Sequence, residues 1–582
     1  IITNTPTANL DEIKTIIEEE LQKIIITPPS EQELQRAKNR IKTDHISQLE
    51  RIGGFGGRAD QLNHYNIFSG SPNTINTDLN RYMSVEAETI QKVTKATFRD
   101  TRVILEVLPK PSLASSQTVV DRSKMPVSKR FSTFAPTTPV KVKLSNTTEM
   151  LFLNKSGIPL TSVAIIFKGG SDQDPSTKSG LSHITSRLLT EGTTNKSSEE
   201  IHEHLDFMAS TLTATTYHEY TILYTQSLNE NCLETHNLLS DILANANFPE
   251  LEFDRVKTQE LTDIKSISDD PVAMSRLASR SVIYKNNYPL SHPIRGTESS
   301  LELIEQESIS NQYKKTYLPE NSTILVVSGK PKTEIIADMK NSLYDWLSQT
   351  PDSHVKNEPC NNNSGLHQGP SIYILDKPSS PQSVIRAGML TIHRTHPDYF
   401  AMTLINYIFG GQPTSRLFKN LRQDKGYSYG YYSAIEWSQI TSALIAGGSV
   451  ETKVTKESII ETLKEFKEIS SEMPITQSEL NLAKQGILKG YASQFETQDQ
   501  YIDNLARIAL YDLPLDYYKN YVKNINNISL EQIRETATSR IKLDDLSITV
   551  VGDKKLLLDK ISEIGLPMYT IDITGEILSK DF

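Results

Sequence analysis

Two pairs of histidines are the first residues whose spacing suggests metal chemistry. One residue separates His202 from His204, and two separate His393 from His396, which lies just before a proline. On a helix, the i, i+2 spacing points two imidazole rings about 200° apart, so His202 and His204 cannot share one ion. The proline after His396 favours a loop or the start of a helix. Neither pair therefore predicts a metal site.

A glycine-rich segment suggests phosphate binding at first sight. It reads Arg51-Ile-Gly-Gly-Phe-Gly-Gly-Arg58. A P-loop would carry a Lys followed by Ser or Thr, and a strand would precede it, but this segment has neither. Because the segment lies between two predicted helices, we interpret it as an inter-helix loop.

A second glycine-led segment, residues 169–193, carries His183 near the start of a predicted helix. It resembles the signature stretch of the insulinase/pitrilysin-type zinc metallopeptidases, in which an H-x-x-E-H helix supplies two His ligands and a Glu general base. The resemblance puts His183 at the first ligand position, Ser186 at the base position and Arg187 at the second ligand position. Arg cannot ligate zinc, and Ser cannot accept a proton from zinc-bound water at neutral pH. The motif is therefore degenerate.

The third zinc ligand of this family is a Glu further along the chain, and the resemblance matches its stretch to residues 260–265. Asp263 of that stretch could face the same place as His183. One His and one Asp do not make a catalytic site, so we expect this chain to bind no metal. We favour a structural role for His183, as a polar residue at a helix start packed against a sheet.

A third segment, residues 408–430, contains Ser-Arg-Leu-Phe followed by Arg422 and Tyr429. It resembles the other hallmark of the same family, an Arg and a Tyr that reach across a closed chamber to the substrate held at the zinc of another domain. A guanidinium and a phenol are donors suited to a carbonyl oxygen that becomes an oxyanion. In the alternative interpretation, Arg422 pairs with Asp424 and the aromatic segment 427–432 fills a core. The sequence leaves both interpretations open.

The elements that must position these residues recur along the chain. Strand-like segments end at Val107, Val327 and Val551, which are 220 and 224 residues apart. Each segment follows a helix that begins near a Ser and an acidic residue, which is the chemistry of a helix N-terminus. A lysine recurs at the equivalent place of an upstream helix in each repeat, as Lys38, Lys257 and Lys484. We infer a repeat of about 220 residues.

The complete repeat predicts an α+β fold. In the middle repeat, strands over 149–153 and 162–167 precede a helix near 180–189. Hairpin-connected strands, with the helices grouped separately along the chain, predict a mainly antiparallel sheet with helices on one face. The predicted organisation is a partial (C-terminal part) insulinase-type domain at 1–110, a linker at 111–138, a domain with the degenerate zinc motif at 139–350, a linker at 351–369, a domain with the Arg/Tyr pair at 370–555 and a C-terminal tail at 556–582.

Composition excludes several other classes of protein. The chain has 582 residues, of which 37% are hydrophobic and 23% charged, as in a globular protein of several domains. It has no run of 18 or more apolar residues, so we predict no membrane span. The formal charge is −10 and no Lys/Arg-rich run occurs, so a nucleic-acid surface is not expected. Cys232 and Cys360 are too few for a thiolate zinc site, and whether they pair with each other stays open.

The resemblance covers roughly residues 10–555 and implies a function. In that family, four homologous domains close like a clamshell around a peptide, with zinc in the first domain and the Arg/Tyr pair in the fourth. This chain begins at Ile1 without an initiator Met, and we expect strands before Leu10 to be missing. It would be the latter part of the second domain, the third and the fourth, and bacterial relatives of this kind imply an exported, for example periplasmic, protein.

The expected function is therefore the non-zinc portion of an insulinase-type metalloendopeptidase, inactive alone. It would complete the chamber and bind peptide, by strand addition to a sheet edge near Gly169 and Gly170 or their counterparts. The expected partners are a peptide or small protein substrate and a zinc-bearing insulinase-type domain or subunit, which would hold the zinc. The alternative is a non-catalytic scaffold or assembly subunit with the same fold.

Overall fold

The computed structural model of this chain describes residues 10–98, 134–284, 290–349 and 369–581. The chain divides into two compact units: one is Ile1–Phe134 with the short segment Asp206–Ala209, and the other is the remainder. The predicted strand ending at Val107, nearly all of both predicted linkers, and Cys360 lie outside the described residues. No helix in the described ranges is long and apolar enough to cross a membrane.

The first unit is helical over residues 10–98. Its helices are α1 (Leu10–Ile26), α2 (Glu31–Gln48), α3 (Arg58–Ser69), α4 (Ile75–Met83) and α5 (Ala87–Thr97). Helix α2 begins at a capping box, because the Ser30 side chain accepts from the Glu33 N–H while the Glu33 carboxylate accepts from the Ser30 N–H. The glycine-rich segment 51–57 lies between α2 and α3, which confirms the predicted inter-helix loop.

The second unit contains two successive halves, each with its own sheet. The first half comprises β1 (Val140–Lys143), β2 (Glu149–Asn154), β3 (Leu160–Lys168), α6 (Leu181–Leu188), α7 (Ser198–Met208), β4 (Thr211–Thr216), β5 (Tyr220–Leu228), α8 (Cys232–Asn245), α9 (Glu250–Ser266), α10 (Pro271–Ile283), α11 (Glu298–Glu302), α12 (Gln306–Thr316), β6 (Ser322–Ser328), α13 (Lys332–Ser342) and α14 (Tyr344–Leu347). The strand order is β1-β2-β6-β3-β5-β4, and β2 and β6 are the parallel pair.

The second half repeats this plan. It comprises β7 (Ser371–Asp376), β8 (Gln382–Thr391), α15 (Tyr399–Phe409), α16 (Arg416–Phe418), β9 (Tyr432–Glu436), β10 (Ser442–Glu451), α17 (Thr455–Lys467), α18 (Gln477–Lys489), α19 (Gln498–Leu510), α20 (Tyr517–Asn527), α21 (Leu530–Arg540), β11 (Ser547–Gly552), α22 (Lys554–Ser562), β12 (Met568–Ile571) and β13 (Ile577–Lys580). The order is β13-β12-β7-β11-β8-β10-β9. The run β7-β11-β8-β10-β9 matches β2-β6-β3-β5-β4, and the two mainly antiparallel sheets with many helices confirm the α+β prediction.

The repeated lysines make equivalent contacts in the two halves. Lys257 Nζ donates to the carbonyl of Ile304 at 2.8 Å, and Lys484 Nζ donates to that of Ile528 at 2.6 Å. Each ammonium therefore ties the long helix of its half, α9 or α18, to the segment that precedes α12 or α21. This shared contact explains why a lysine recurs at these two positions.

One helix of each half packs on the sheet of the other half. Helix α19 packs through Ile502, Leu505, Ala506 and Ile508 on the first sheet, and α10 packs through Met274, Ala278 and Val282 on the second. The sheet sides of these clusters are strand residues that alternate in sequence, such as Leu151 and Leu153 of β2. The two halves therefore share their cores.

The region predicted as a C-terminal tail is structured up to Asp581. Helix α22 and strands β12 and β13 extend the second sheet beyond β7, and β12 pairs with β7 in parallel. Leu557, Ile561 and Met568 are buried in the core of the second half. The burial of these apolar side chains fixes the segment, in which α22 follows β11 as α13 follows β6 in the first half.

Candidate functional site

The helix of the degenerate zinc motif, α6, is anchored at its N-terminus by a buried aspartate. Asp174 accepts from the backbone N–H groups of Gly180 and Ser182, each at 2.9 Å. Gly180 has φ +98°, and a Cβ at that position would lie 2.6 Å from the Arg295 carbonyl oxygen. The start of α6 is thereby held against the loop that carries Arg295.

The three motif positions on α6 point to different partners. The His183 side chain is 15% exposed, and its Nε2 lies 3.2 Å from Oε2 of Glu260. The Ser186 hydroxyl donates to the His183 carbonyl at 2.7 Å, so it bonds to its own helix. Arg187 extends to Oε1 of Glu260 and donates to Oε1 of Gln259 at 3.2 Å.

Glu260 of α9 is the centre of this cluster and is fully buried. Besides His183 and Arg187, it faces Arg295, whose Nη1 lies 3.4 Å from Oε2. Burial alone would raise the pKa of Glu260, but His183 and the two guanidinium groups outweigh it and lower the pKa to about 2. The carboxylate is therefore ionised inside a buried, positively charged setting.

Glu260 rather than Asp263 lies against His183. Asp263, one helical turn further along α9, pairs with Arg295 at 2.9 Å. Glu260 and Arg295 are not among the site residues predicted from the sequence; the signal for Glu260 is a second carboxylate three residues before Asp263, on the same helical face. As they stand, these residues do not fit a zinc ion, because Arg187 has no lone pair to offer and engages the carboxylate itself.

The second candidate pair, Arg422 and Tyr429, forms a stack at the surface. Arg422 lies on a π-helical turn, Lys419–Asp424, that continues α16 and is anchored by the buried Leu421. Its Cζ lies 4.9 Å from the centroid of the Tyr429 ring, and Tyr429 is 88% exposed. The structure thus brings the two predicted residues together, with donor groups of both open to solvent.

The alternative interpretation of this segment describes only part of it. Among the described residues, Arg422 forms no ion pair with Asp424, and Tyr429 and Tyr432 are exposed. Tyr431 does fill the core, where its hydroxyl lies 2.8 Å from the Thr462 hydroxyl. Tyr431 and, in part, Tyr427 therefore pack in the core, whereas Tyr429 and Tyr432 are exposed.

Both sheets end in an open edge near a candidate residue. Strand β9 follows the Arg422–Tyr429 stack, and among the described strands it pairs only with β10, as β4 pairs only with β5. The turn after β4 contacts the turn after β9, because the Glu219 carboxylate accepts from the Ser438 hydroxyl at 2.8 Å and the Gln439 N–H at 2.9 Å. Gly170 lies beside the first of these turns, where a Cβ would come within 2.0 Å of the Tyr217 carbonyl.

The histidine pairs have separate partners. His202 Nε2 lies 3.9 Å from a Glu191 oxygen, whereas His204 Nε2 lies 3.0 Å from a Glu234 oxygen. His396 pairs with Asp398 at 3.6 Å. Within the described ranges, no group of three or more His, Cys, Asp or Glu side chains could hold a metal ion.

Two family models match the second unit of the chain. The model described as insulinase (peptidase family M16) matches residues 150–298, and the model described as peptidase M16 inactive domain matches residues 304–487. Together they span most of the two homologous halves.

Some individual relatives are named as zinc proteases and others as proteins without peptidase activity. The non-peptidase homolog YmxG of Helicobacter pylori is 23% identical over 399 residues, covering 68% of this chain and 90% of the relative. An uncharacterized zinc protease YmxG of Bacillus subtilis is 24% identical over 416 residues, covering 70% and 96%. A solved structure of a peptidase M16 inactive domain from Pseudomonas fluorescens shares the fold with a TM-score of 0.64 and 22% identity, over 71% of this chain and 98% of that one.

Proposed function

Because this chain belongs to the insulinase-type (M16) family and has the fold of that family's inactive domains, we propose that it is the peptide-binding, non-zinc portion of a metalloendopeptidase. It would complete a closed chamber, and another domain or subunit would hold the zinc. The observation that carries this proposal is the exposed Arg422–Tyr429 stack beside an open sheet edge. The degenerate α6 helix, with Arg187 on Glu260, supports inactivity of the chain alone.

The geometry around β9 suits an extended peptide. An added strand satisfies the unpaired N–H and C=O groups of a sheet edge, which gives affinity without sequence specificity. The Arg422 guanidinium and the Tyr429 hydroxyl lie just before this strand and are free to donate to a carbonyl oxygen. Stacking on the Tyr429 ring restricts the guanidinium, which lowers the entropy lost when it binds.

The edge strand β4 offers a second place for the same kind of contact. Its side chains alternate between exposed and half-buried from Thr211 to Thr215, and its outer edge is unpaired among the described strands. Since Glu219 links the turns that follow β4 and β9, the two edges approach one junction. A peptide held on either edge would lie close to that junction.

The first test measures peptide binding by the chain alone. Fluorescein-labelled casein peptides, followed by fluorescence anisotropy, should bind about tenfold more weakly to Arg422→Ala, because a charge-assisted hydrogen bond contributes about 1.5 kcal/mol or more. Tyr429→Ala should behave in the same way. Tyr344→Ala, which removes another exposed tyrosine, is the matched control and should bind like the native chain. Equal binding by all four proteins would refute the assignment of the pair.

The second test separates a peptidase portion from a scaffold. In a mixture with a zinc-bearing insulinase-type subunit, the double variant Arg422→Ala/Tyr429→Phe should reduce peptide turnover by about an order of magnitude or more if the two groups stabilise an oxyanion. If the chain is a scaffold, neither the native chain nor the double variant should increase peptide turnover by the zinc-bearing subunit, and both should bind their partner with equal affinity. Chelator-sensitive cleavage by the chain alone would contradict the proposal outright.

A further inference from the structure

The buried cluster on α6 and α9 keeps two atoms at the spacing of metal ligands. Nε2 of His183 and Oε2 of Glu260 lie 3.2 Å apart. Two ligands of a tetrahedral zinc ion, with bonds of about 2.0–2.2 Å, are separated by about 3.3–3.6 Å. The observed spacing is about 0.1 Å below this range, so the imidazole and the carboxylate are close to the arrangement of two neighbouring ligands.

The same two atoms have no hydrogen-bond partner of acceptable geometry in the described part of the chain, although both are buried. Their mutual approach is an ion-pair contact, and the Arg295 Nη1 group lies at 3.4 Å from the Glu260 oxygen. Buried polar atoms are normally hydrogen-bonded, so a buried nitrogen and a buried oxygen that meet only in an ion-pair contact are an unusual arrangement.

Arg187 supplies positive charge at this place. Its guanidinium engages the other oxygen of Glu260 and the side-chain oxygen of Gln259, so one planar fork serves two acceptors of α9. A buried carboxylate without a compensating cation would be strongly destabilising. The guanidinium therefore joins α6 to α9 while Glu260 stays ionised.

We propose that the Arg187 guanidinium is a built-in replacement for a metal ion: it neutralises Glu260, links α6 to α9 and keeps zinc out, while His183 and Glu260 retain a ligand-competent arrangement. This inference concerns the α6–α9 cluster alone and does not depend on peptide binding at Arg422 and Tyr429. It predicts that Arg187 is the main obstacle to a metal site. Ser186, which bonds to its own helix, would still leave such a site without a general base.

The test is a metal titration of the full chain carrying Arg187→His. This variant should bind one Zn²⁺ per chain in a calorimetric titration, and Co²⁺ should give the intense visible absorption of a tetrahedral site. Zinc should raise the unfolding temperature of this variant and leave that of the native chain unchanged. No peptidase activity should appear, because the base position stays a serine.

Matched variants assign the ligands. Adding His183→Ala or Glu260→Gln to Arg187→His should abolish the cobalt spectrum, and Arg187→Lys should bind no metal because it keeps the charge and offers no ligand at neutral pH. A correctly folded Arg187→His chain that binds no zinc would overturn the proposal. Zinc binding by the native chain that disappears in His183→Ala would overturn it as well.

A second variant decides the matter if Arg187→His does not fold. Arg187→Ala removes the guanidinium and leaves His183 and Glu260 in place, with room for water as a further ligand. Its titration with Co²⁺ should give a spectrum that His183→Ala removes, at an affinity below that of a three-ligand site. The absence of any His183-dependent spectrum would mean that the pair is not ligand-competent.

Discussion

Replacing Leu505 by alanine tests the exchange of helices between the two halves of the second unit. Leu505 is 1% exposed on α19, yet its apolar neighbours belong to the sheet of the other half. Removing the side chain loses a transfer term of about 2–3 kcal/mol. Strands β2, β3 and β6 are hydrogen-bonded on both sides and cannot close the cavity, so the total cost should be about 3–5 kcal/mol.

Denaturant unfolding and hydrogen exchange together measure this effect. The midpoint of unfolding should fall at an unchanged slope, because the surface exposed on unfolding stays nearly the same. Exchange followed by mass spectrometry should show lost protection in β3 and β6, although the substituted residue lies about 180 residues further along the chain than β6.

Met274→Ala is the matched control on the reciprocal helix, α10. Met274 is 5% exposed and packs on the second sheet with Tyr373 and Val384, so its loss should weaken protection in β7, β8 and β11. If Leu505→Ala loosened only the strands of its own half, the proposed sharing of cores would be refuted.

Three further predictions follow from buried polar groups. Burial lowers the pKa of His236 from 6.5 to about 4, so the buried ring stays neutral above pH 6.5 and contributes its full stability to the fold there. Up to about 3 kcal/mol of that stability is lost as the pH falls towards 4, because the unfolded chain takes up the proton first. The free energy of unfolding, measured across this pH range, should therefore decline less steeply in His236→Gln than in the native chain. Burial raises the pKa of the Cys232 thiol to about 11, so the thiol is protonated and unreactive at neutral pH. In the Cys360→Ser variant, Cys232 should therefore resist labelling by maleimide until denaturant is added. Rapid labelling of this variant in its folded state would contradict the prediction. Glu219→Ala leaves the hydroxyl of the buried Ser438 without its carboxylate acceptor, so it should cost about 1–3 kcal/mol and speed exchange in the turns after β4 and β9. Unchanged exchange in these turns would mean that the two turns are not coupled.

The repeated sheet could be predicted from the sequence because its signals are local. The closing strands β6 and β11 are rich in apolar residues and lie at nearly constant spacing, and the helix before β11 begins at Ser529, whose side chain accepts from the Gln532 N–H. The exchange of α10 and α19 could not be predicted in this way. An amphipathic helix shows that it covers some apolar surface, but its sequence does not identify the sheet that provides that surface.

The candidate sites differ for a similar reason. The proximity of Arg422 and Tyr429 can be predicted because both belong to one motif within a short segment. The structure adds that both side chains are exposed at the surface. The partner of Arg187 lies on another helix, 73 residues away in sequence. Glu260 and Asp263 are one helical turn apart on α9. Sequence spacing predicts positions only to within a few residues, so it cannot decide which of the two carboxylates faces α6.

The two sites should therefore respond independently to substitution. Arg187 and Glu260 join α6 to α9 in the first half, whereas Arg422 and Tyr429 precede an edge strand of the second half, and the contacts described for the two pairs share no residue. Substitutions without shared partners add in free energy within about 0.5 kcal/mol. The double variant Arg187→His/Arg422→Ala should accordingly bind zinc like the first single variant and peptide like the second. A zinc affinity that depended on Arg422 would show that the two sites communicate, and it would refute their independence.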